Sequence, residues 1–413
     1  MNNNGNVNNN NKYNGLTAVP LSELDDKARM KEERKYLVPI GHIWDAYYMC
    51  VKNKRRTMNA MLFDINVERK IIQLWRDIND RTYEIGRSVT FIVEHPVKRE
   101  VFAADFRDRI VHDYICMRVE PLIEARLPEC MTSNRKGKGT HYAIENVAKD
   151  LRDVSEGYTK DCWIWKFDLK GFFMSIDKPL LNEKIQALID SDYHGPDKEV
   201  LKWLTEKVVR HCPQMHCIRK SLPCAWIGLR ADKSLFTQDR DHGMPIGNLP
   251  SQIFANYLLS GMVSFLRENC FETVTQYVDD VVVIHPDKNA ILAFIPRLRT
   301  FLKYKLCITL HPKKCYIQHY SKGVAFVGGI IKPWRNYVSK RTRRKMLGKI
   351  HWLTGNRDAM PREEMLASVN SYLGHTRHFS AYKIREKAME MMFGAFSKDI
   401  YFTNNIEKMA FIK

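Results

Sequence analysis

The sequence lacks long apolar runs and paired cysteine spacings, and it is poor in acidic residues relative to basic ones. No stretch approaches the roughly 20 apolar positions that a transmembrane helix needs. The N-terminus is rich in Asn and has neither the basic nor the apolar region of a signal peptide. The ten Cys are scattered, which favours reduced thiols over a disulfide framework. We therefore expect a cytoplasmic protein that has no membrane partner.

The shortage of acidic residues leaves a strongly basic chain. Its 66 Lys and Arg outnumber its 47 Asp and Glu, which gives a formal net charge of +19. Such an excess predicts a polyanionic partner, either a nucleic acid or an anionic surface. With 413 residues and 45% hydrophobic residues, the chain can form two or three structural units with a sizeable core.

One local group of possible zinc ligands lies between residues 211 and 224. Its members are His211, Cys212, His216, Cys217 and Cys224. They fall in adjacent pairs and not at the Cys-x2-Cys spacing of structural zinc sites. A zinc site stays open as an interpretation, but a short hairpin with buried or half-buried thiols is favoured.

Hydrophobic periodicity predicts a mixture of helices and strands. A charged helical segment is expected from Leu21 to about Tyr48, and the basic region from about Lys340 onward is also helical. Further helices are predicted at Phe63–Ile78 and Asp108–Ala125, strands at Ser88–Val93, Val97–Ala103 and Trp163–Asp168, and a strand pair at Thr273–Ile284.

The residues with the clearest chemical signal are three aspartates. In Gln276-Tyr-Val-Asp-Asp-Val-Val-Val-Ile284, two acids interrupt a β-branched run, which predicts a hairpin with Asp279 and Asp280 at its tip. Adjacent carboxylates repel each other unless a cation lies between them, although Asp-Asp turns without a metal are also common. Asp168 ends an apolar strand, and beside the hairpin it could bind two Mg²⁺, with Mn²⁺ as an alternative. Two such ions are suited to in-line phosphoryl transfer.

Three segments in this order resemble successive motifs of the reverse transcriptase family. They are Phe167-Asp-Leu-Lys-Gly-Phe-Phe173, Tyr277-Val-Asp-Asp280 and Phe326-Val-Gly-Gly329. The resemblance covers roughly residues 50–385. It implies an α+β right-hand polymerase fold of fingers, palm and thumb, with a split βαβ palm sheet and a helical thumb. The implied parts are a disordered Asn-rich tail (1–20), N-terminal helices and fingers with part of the palm (21–160), the palm with the catalytic motifs (161–330) and the thumb (331–413).

The same resemblance implies roles for single residues. Asp168, Asp279 and Asp280, together with Leu169, would hold the metal ions. Phe173 corresponds to the aromatic gate that excludes a 2′-hydroxyl; alternatively it is a core residue, although its neighbour Phe172 can fill that part.

Two basic residues correspond to groups that contact the triphosphate. Arg99 resembles the fingers arginine over the incoming nucleotide, because a planar guanidinium can bond phosphate and stack on a base. Lys314 resembles the lysine that protonates the departing pyrophosphate, and Lys313 is the alternative.

Two basic segments are candidates for contacts with the template RNA and the cDNA or primer strand. The loop from Ser133 to Thr140 lacks the pattern of a nucleotide P-loop, and it is either a solvated loop or a strand-contacting one. The second segment opens the expected thumb. The candidate contacts are Arg135, Lys136, Lys138, Arg341, Arg343 and Arg344.

The segment Gly243-Met-Pro-Ile-Gly-Asn-Leu-Pro-Ser-Gln-Ile-Phe-Ala-Asn256 carries the signal of a subfamily. Most reverse transcriptases have Pro-Gln-Gly and Ser-Pro here, whereas this chain has Ile246 and Gln252 at the variable positions, both expected at the nucleotide. These departures resemble the reverse transcriptases of diversity-generating retroelements, as do Lys233-Ser-Leu-Phe236 and Asn370-Ser-Tyr-Leu-Gly-His375.

The subfamily resemblance implies mutagenic retrohoming. A template-repeat RNA is copied from deoxynucleoside triphosphates with errors at adenines, the cDNA rewrites a target gene, and a small basic accessory protein takes part. Ile246 replaces a side chain that can hydrogen-bond near the nucleotide with one that cannot, which predicts lower discrimination between correct and incorrect nucleotides. Alternatively, Ile246 simply packs there and has no effect on fidelity.

Two other functions remain possible. One is a different bacterial reverse transcriptase, of the group II intron or phage-defence kind. Residues 331–413 suffice for a helical thumb but not for a maturase and endonuclease region, which counts against the intron enzyme. The other is a degenerate polymerase fold that only binds RNA, although such a chain has no reason to keep three metal-binding acids.

Overall fold

The structure is a computed structural model that describes residues 37–412 except 53–54, 56, 96 and 357–358. The predicted tail at 1–20 and the first part of the helical segment predicted from Leu21 lie outside the described residues. No helix in the described ranges is long and apolar enough to cross a membrane.

The described residues form an α+β fold in which most helices precede or cover one central sheet. Short 3₁₀ turns at Pro213–Met215, Pro223–Trp226, Ala231–Lys233, Leu235–Thr237 and Tyr320–Lys322 complete the connections. In chain order the elements are α1 (Ile40–Val51), α2 (Met58–Asp64), α3 (Val67–Asn79), β1 (Val89–Val93), β2 (Arg99–Ala103), α4 (Phe106–Glu124), α5 (Thr140–Val154), β3 (Trp163–Asp168), α6 (Phe172–Ser175), α7 (Lys178–Asp192), α8 (Lys198–Arg210), β4 (Ile218–Arg219), α9 (Leu249–Glu268), β5 (Val274–Tyr277), β6 (Asp280–His285), α10 (Lys288–Lys305), β7 (Tyr316–His319), β8 (Val324–Phe326), β9 (Gly329–Lys332), β10 (Arg335–Val338), α11 (Lys340–Gly355), α12 (Arg362–Thr376), α13 (Tyr382–Phe396), β11 (Ile400–Thr403) and β12 (Lys408–Phe411).

The central sheet has the strand order β5-β6-β3-β7, and all neighbouring strands are antiparallel. Helices connect β3 to β5 and β6 to β7, so the chain follows the β-α-β-β-α-β path of a split βαβ sheet. This topology confirms the predicted palm and, with it, the predicted fold class. The domain boundaries expected from the resemblance stay predictions.

The side chains of β3 point alternately to the two faces of the central sheet, and both faces are covered. Trp165 and Phe167 point into the main core with α4, α9 and α10, whereas Ile164 points into a second core with α5. Successive side chains in a strand point to opposite faces, so β3 contributes to both cores at once. The strand that carries Asp168 is therefore fixed from two sides.

Two predicted elements differ from the structure. The single helix predicted over Phe63–Ile78 is divided into α2 and α3, because Asn66 adopts a left-handed conformation with φ of 59°. Asn tolerates this region better than most residues do. The C-terminal region has the predicted helices α11–α13 around their own core, but it ends in the hairpin β11–β12, whose Met409 joins that core.

A second sheet approaches the palm through the loop 243–247. Strands β1 and β2 are antiparallel, and β4 adds a parallel edge to β1. The amide of Phe102 in β2 donates to the carbonyl of Ile246 at 2.9 Å. Gly247 has φ of +118°, and a Cβ there would lie 2.9 Å from Val101 Cγ1 and 3.0 Å from the Phe102 carbonyl oxygen. A larger residue at position 247 would force β2 away from this loop.

The buried carboxylate of Asp197 joins α4, α7 and α8. It accepts hydrogen bonds from the Tyr114 hydroxyl, the Tyr193 hydroxyl at 2.6 Å and Arg118 Nε at 2.8 Å. Burial alone would raise the pKa of Asp197, but the two tyrosine hydrogen bonds and the Arg118 charge lower it overall. Asp197 therefore stabilises the fold as an anion.

We predict that Asp197→Asn lowers the free energy of unfolding by about 2–4 kcal/mol, because Arg118 then loses its counter-ion in a buried position. Chemical denaturation measures this loss. Since the folded-state pKa lies below the ordinary 3.8, the contribution is complete above that pH and disappears as the pH falls further. Asp190→Asn, which breaks an exposed pair with Lys202, is the control and should cost less than about 1 kcal/mol. Equal losses for the two variants would contradict this role of Asp197.

Candidate active site

The hairpin between β5 and β6 presents two of the three aspartates. Tyr277 pairs with Asp280, so Val278 and Asp279 form a two-residue loop. The tip therefore contains Asp279 but not Asp280, which was also predicted there and instead begins β6. Val278 has φ of 55°, which is rare for a β-branched residue, so the backbone strain of the turn lies at Val278. The Val278 amide donates to Ser133 Oγ at 3.1 Å, and Gln276 Nε2 donates to the Val278 carbonyl at 2.9 Å. These two hydrogen bonds hold the strained turn in place.

Strand pairing brings the third aspartate to the same place. Asp168 lies directly opposite Asp280 in the antiparallel pair of β3 and β6. The Leu169 amide also donates to the Asp279 carbonyl at 3.2 Å. Directly opposed residues have Cα atoms about 4.5–5.5 Å apart. The predicted convergence of Asp168, Asp279 and Asp280 is thus present in the backbone.

Two lysines partly neutralise these carboxylates. Lys314 Nζ lies 2.8 Å from Asp168 Oδ2, and Lys166 Nζ lies 3.0 Å from Asp280 Oδ2. Lys166 Nζ also donates to the Ala325 carbonyl in β8 at 2.6 Å. Lys166 therefore connects the carboxylate of Asp280 to the hairpin that follows the palm sheet.

The carboxyl groups of Asp279 and Asp280 both have raised pKa values. Burial raises the pKa of Asp279, and the charge of Asp168 raises it further, while Lys314 and Arg99 oppose the shift. Burial is also the main reason that the pKa of Asp280 reaches about 6, against the attraction of Lys166. Ionising these carboxyls is costly in the absence of additional positive charge.

The donor set fits hard divalent cations. All three side chains offer carboxylate oxygens, the ligands that Mg²⁺ and Mn²⁺ prefer. Among the residues that the structure describes, Asp280 Oδ1 is buried and has no hydrogen-bond partner. The side chain of Leu169 is a buried hydrocarbon without donor atoms, so only the carbonyl oxygen of this residue can serve as a ligand.

The side chains do not yet converge as metal ligands. No group of three or more His, Cys, Asp or Glu within the described ranges has a metal-binding arrangement. The physical reason is that Lys314 and Lys166 each hold a carboxylate oxygen that a metal ion would compete for. Two Mg²⁺ would be held by Asp168, Asp279 and Asp280 once these oxygens turn away from the lysines.

Phe173 and Ile246 lie at the same small apolar cluster, which is centred on Phe102, Met174 and Leu235. The Phe173 carbonyl accepts from the Met244 amide at 2.7 Å, which fixes the backbone of α6 against the loop 243–247. Both Phe173 and Ile246 are half-buried, so part of each side chain faces solvent. The structure therefore brings together two residues that the sequence assigned separately to the nucleotide.

The other two predicted nucleotide contacts are accessible. Arg99 is exposed at the start of β2, and its charge acts on Asp279. The next residue, Glu100, is buried and accepts from Trp226 Nε1 at 2.6 Å, Ser234 Oγ at 2.7 Å and the Leu235 amide at 2.7 Å. Glu100 thereby fixes the strand that carries Arg99. Gln252 is half-buried in the first turn of α9.

The predicted nucleic-acid contacts in the loop 133–140 need correction. Arg135 is buried; its guanidinium binds Glu124 through two nitrogens and donates to the carbonyls of Pro128 and Met131. Lys138 is largely buried, with its Nζ 2.7 Å from Glu129. Both charges are paired with acidic residues that precede the loop, Arg135 with Glu124 at the end of α4 and Lys138 with Glu129. These placements contradict nucleic-acid binding by Arg135 and disfavour it for Lys138.

The remaining basic candidates are accessible. Lys136 is exposed at the tip of the loop, and Arg341, Arg343 and Arg344 are exposed on the first turns of α11. The hairpin predicted at 211–224 is not present: this segment forms two 3₁₀ turns and the short strand β4, which pairs in parallel with β1. Cys212 and Cys217 are half-buried free thiols and Cys224 is an exposed one, and no metal-ligand group is found there within the described residues.

Three residues that shape the site were not predicted from the sequence: Lys166, Ser133 and Glu100. Lys166 could have been found, because residues two apart in a strand share a face and Lys166 precedes Asp168 by two. Ser133 and Glu100 act across large sequence separations, and no local pattern indicates their partners.

A split βαβ palm with aspartates at the ends of adjacent strands is consistent with the right-hand polymerase architecture. Within this class, the chain belongs to the reverse transcriptase family. The family model described as "Reverse transcriptase (RNA-dependent DNA polymerase)" matches residues 99–348, which is more than half of the chain.

Three individual proteins match the chain at low sequence identity. The chain is 31% identical over 111 residues to nuclear intron maturase 1, mitochondrial, of Arabidopsis thaliana, which covers 25% of this chain and 15% of that protein. It is 23% identical over 270 residues to protein YkfC of Escherichia coli (strain K12), which covers 57% of this chain and 62% of that protein. The apo telomerase of Candida tropicalis matches with a TM-score of 0.45 and 12% identity over 76% of this chain and 60% of that one. The chain thus spans less than two thirds of each of these proteins.

We predict that Mg²⁺ raises the melting temperature of the wild type by a few degrees and that Asp280→Asn loses most of this increase. Because the raised pKa of Asp280 favours its protonated form, the apo protein loses stability as the pH rises through about 6. The increase with Mg²⁺ should therefore be larger well above pH 6 than well below it. The exposed Glu183, changed to Gln, is the control and should keep the full increase. An unchanged increase in Asp280→Asn would refute the metal assignment.

Proposed function

We propose that this chain is an RNA-directed DNA polymerase. The observation that carries the proposal is the meeting of Asp168, Asp279 and Asp280 at one end of the palm sheet in a member of the reverse transcriptase family. Two bound Mg²⁺ would activate the primer 3′-hydroxyl and neutralise the triphosphate of the incoming deoxynucleotide. The partners are then the template RNA, the cDNA or primer strand and the deoxynucleoside triphosphates.

The basic residues around the carboxylates have roles that follow from their positions. Lys314, whose ammonium contacts Asp168, can transfer a proton to the departing pyrophosphate. Arg99 can bond the triphosphate with its planar guanidinium, because the buried Glu100 fixes the start of β2. Arg341, Arg343 and Arg344 can bind the backbone of the template–primer.

The decisive experiment is primer extension on an RNA template with Asp279→Ala. We expect DNA synthesis to fall on the order of a thousandfold, because a metal ligand is lost. Binding of template–primer, measured in parallel, should remain, since the basic residues are unchanged. Glu183→Gln is again the control and should polymerise like the wild type. A wild type that binds RNA but makes no DNA would instead identify a degenerate RNA-binding fold, and near-normal synthesis by Asp279→Ala would contradict the catalytic assignment.

We propose that Phe173 makes the enzyme select deoxynucleotides over ribonucleotides. Phe173 belongs to α6, five residues after Asp168; its ring is half-buried, and Phe172 takes the buried position next to it. A large ring under the sugar leaves no space for a 2′-hydroxyl. The contacts of Phe173 with Met174 and Phe102 in the same cluster keep the ring in place.

Phe173→Val should therefore lower the preference for deoxynucleotides by at least about tenfold, because space opens for the 2′-oxygen. The quantity to measure is the ratio of kcat/KM for a deoxynucleotide and the matching ribonucleotide. Phe172→Leu is the matched control; it should reduce stability and leave that ratio unchanged. If Phe173→Val keeps the wild-type ratio, Phe173 is only a core residue.

Within the family, we propose a mutagenic enzyme of a diversity-generating retroelement. The support is the segment around Ile246, whose side chain joins the apolar cluster next to Phe173 and cannot hydrogen-bond a nucleotide. A template-repeat RNA, a target gene and a small basic accessory protein belong to this proposal. The similarity to an intron maturase over 111 residues favours a group II intron type enzyme as the second candidate.

Ile246→Gln should lower misincorporation opposite template adenine, because Gln can hold the correct nucleotide in one pose by hydrogen bonds worth about 1 kcal/mol each. That energy corresponds to a change of about fivefold in error rate. The assay compares errors opposite all four template bases for the wild type and the variant. Ile246→Leu, which stays apolar, is the control and should keep the wild-type errors.

The pattern of errors separates the two candidates. Equal wild-type errors opposite all four bases would exclude the diversity-generating enzyme and leave the intron type. High adenine errors that Ile246→Gln does not change would keep the subfamily and refute only the role of Ile246.

A further inference from the structure

A cavity of about 390 Å³ lies between the C-terminal half of α5, the turn before β3 and the turn between β9 and β10. Its most exposed large side chain is Trp334, which is 78% accessible. The Trp334 ring centroid lies 4.7 Å from that of Tyr158, and Tyr158 stacks in turn on Tyr320 at 6.4 Å with an interplanar angle of 12°. The cavity therefore has an aromatic wall with one open indole face.

Trp334 is the second residue of the two-residue turn that joins β9 to β10, because Lys332 pairs with Arg335 across this turn. Trp334 has φ of 70° and Tyr158 has φ of 72°, a region that bulky residues seldom occupy. An indole that stays in water contributes little hydrophobic stabilisation to offset this cost. The turn geometry explains the backbone conformation, whereas the exposure of the large apolar ring leaves the indole accessible to a ligand that stacks on it.

The rest of the cavity is lined mainly by cations. Lys149 and Arg152 extend from α5, and Lys332 and Arg335 flank the turn that carries Trp334; Glu145 is the only acid among the lining residues. In the described part of the chain, no carboxylate lies within 4.0 Å of Lys149, Lys332 or Arg335, and Arg152 has only Asp153 at that limit. The cavity thus has a positive potential that the protein itself does not neutralise.

Open ring faces and unpaired cations together fit a base and its phosphates. Nucleobases stack on Trp irrespective of sequence, while Lys and Arg bind the strand backbone. A cationic ligand would be repelled, and an apolar peptide would desolvate the cations without a partner. An acidic peptide could pair with the cations, but it offers no flat ring to the indole. The volume also lies in the range of nucleotide-sized ligand sites, about 300–1,000 Å³.

The cavity is separate from the candidate active site. Tyr158 precedes β3, and the Tyr320 amide donates to the Cys162 carbonyl at 3.1 Å, so the aromatic wall lies at the start of β3. Asp168 lies at the other end of this strand, about 16–17 Å away along six residues. A nucleotide in the cavity cannot reach the carboxylates.

We propose that this cavity is a second nucleic-acid site, which binds a single-stranded segment of RNA or cDNA away from the catalytic centre. One base stacks on Trp334, and the adjoining phosphates contact Lys332, Arg335, Lys149 and Arg152. Such a site holds the part of a strand that is not being copied, and it acts on binding without taking part in nucleotidyl transfer.

The test is fluorescence anisotropy with labelled single strands of about ten nucleotides. An excess of unlabelled template–primer first fills the catalytic cleft of the full chain. We expect the wild type still to bind the single strand, Trp334→Ala to bind about tenfold more weakly and Trp334→Phe to keep most of the affinity. Lys332→Gln combined with Arg335→Gln should weaken binding and flatten its dependence on salt.

A matched control exists at the C-terminal end of α10. Tyr304 is 70% exposed beside Lys303 and Lys305, but it does not line this cavity. Tyr304→Ala, and Lys303→Gln combined with Lys305→Gln, should leave binding within about twofold of the wild type. Extension of a short template–primer should be unchanged in Trp334→Ala, so the result does not depend on the polymerase proposal.

Several results would overturn the proposal. These are loss of single-strand binding in the wild type once the cleft is filled, equal effects of Trp334→Ala and Tyr304→Ala, and displacement by poly-glutamate but not by unlabelled strand, which would indicate an acidic protein partner. Competition by a mononucleotide as strong as that by the oligonucleotide would also overturn it and indicate a nucleotide pocket. Stronger binding of RNA or of DNA supports the site in either case and identifies the strand that it holds.

Discussion

The pairing of β3 with β6 is the constraint on which the rest of the site depends. It places Asp168 directly opposite Asp280, and the hairpin adds Asp279, so three like charges meet at one end of a sheet that is buried on both faces. Repulsion between them must be compensated locally. Lys166 and Lys314 supply part of that compensation, and divalent ions would supply the rest.

The surrounding structure keeps this unfavourable arrangement in one geometry. The left-handed Val278 persists because Ser133 and Gln276 bind its amide and carbonyl. Strain of this kind is retained where neighbouring contacts determine the backbone and a function benefits from it. The exposed Trp334 and the cations around it lie near the other end of β3. One strand thus connects the carboxylate cluster with the cavity that we propose as a second nucleic-acid site.

Much of the fold followed from local patterns, because alternation and turn residues are local properties. Three of the four palm strands, the hairpin and the three aspartates were predicted from segments of at most a dozen residues, and family resemblance supplied their arrangement. The edge strand β7 was not predicted. Several predictions were wrong. Arg135 looked like a strand contact in a basic loop, but Glu124 and two carbonyls bind it in the folded chain. The single helix predicted at Phe63–Ile78 ends early because Asn66 takes a left-handed conformation.

The sequence by itself determined the type of chemistry, since carboxylate spacing, an excess of positive charge and strand periodicity are written in the order of residues. Only the tertiary structure decided which charged groups are paired within the protein and which can bind a partner. Lys166 pairs with Asp280 across neighbouring strands, Glu100 accepts hydrogen bonds from residues more than a hundred positions away, and Ile246 meets Phe173 at one apolar cluster. The reason is physical: burial and pairing depend on neighbours in space, which chain order does not specify.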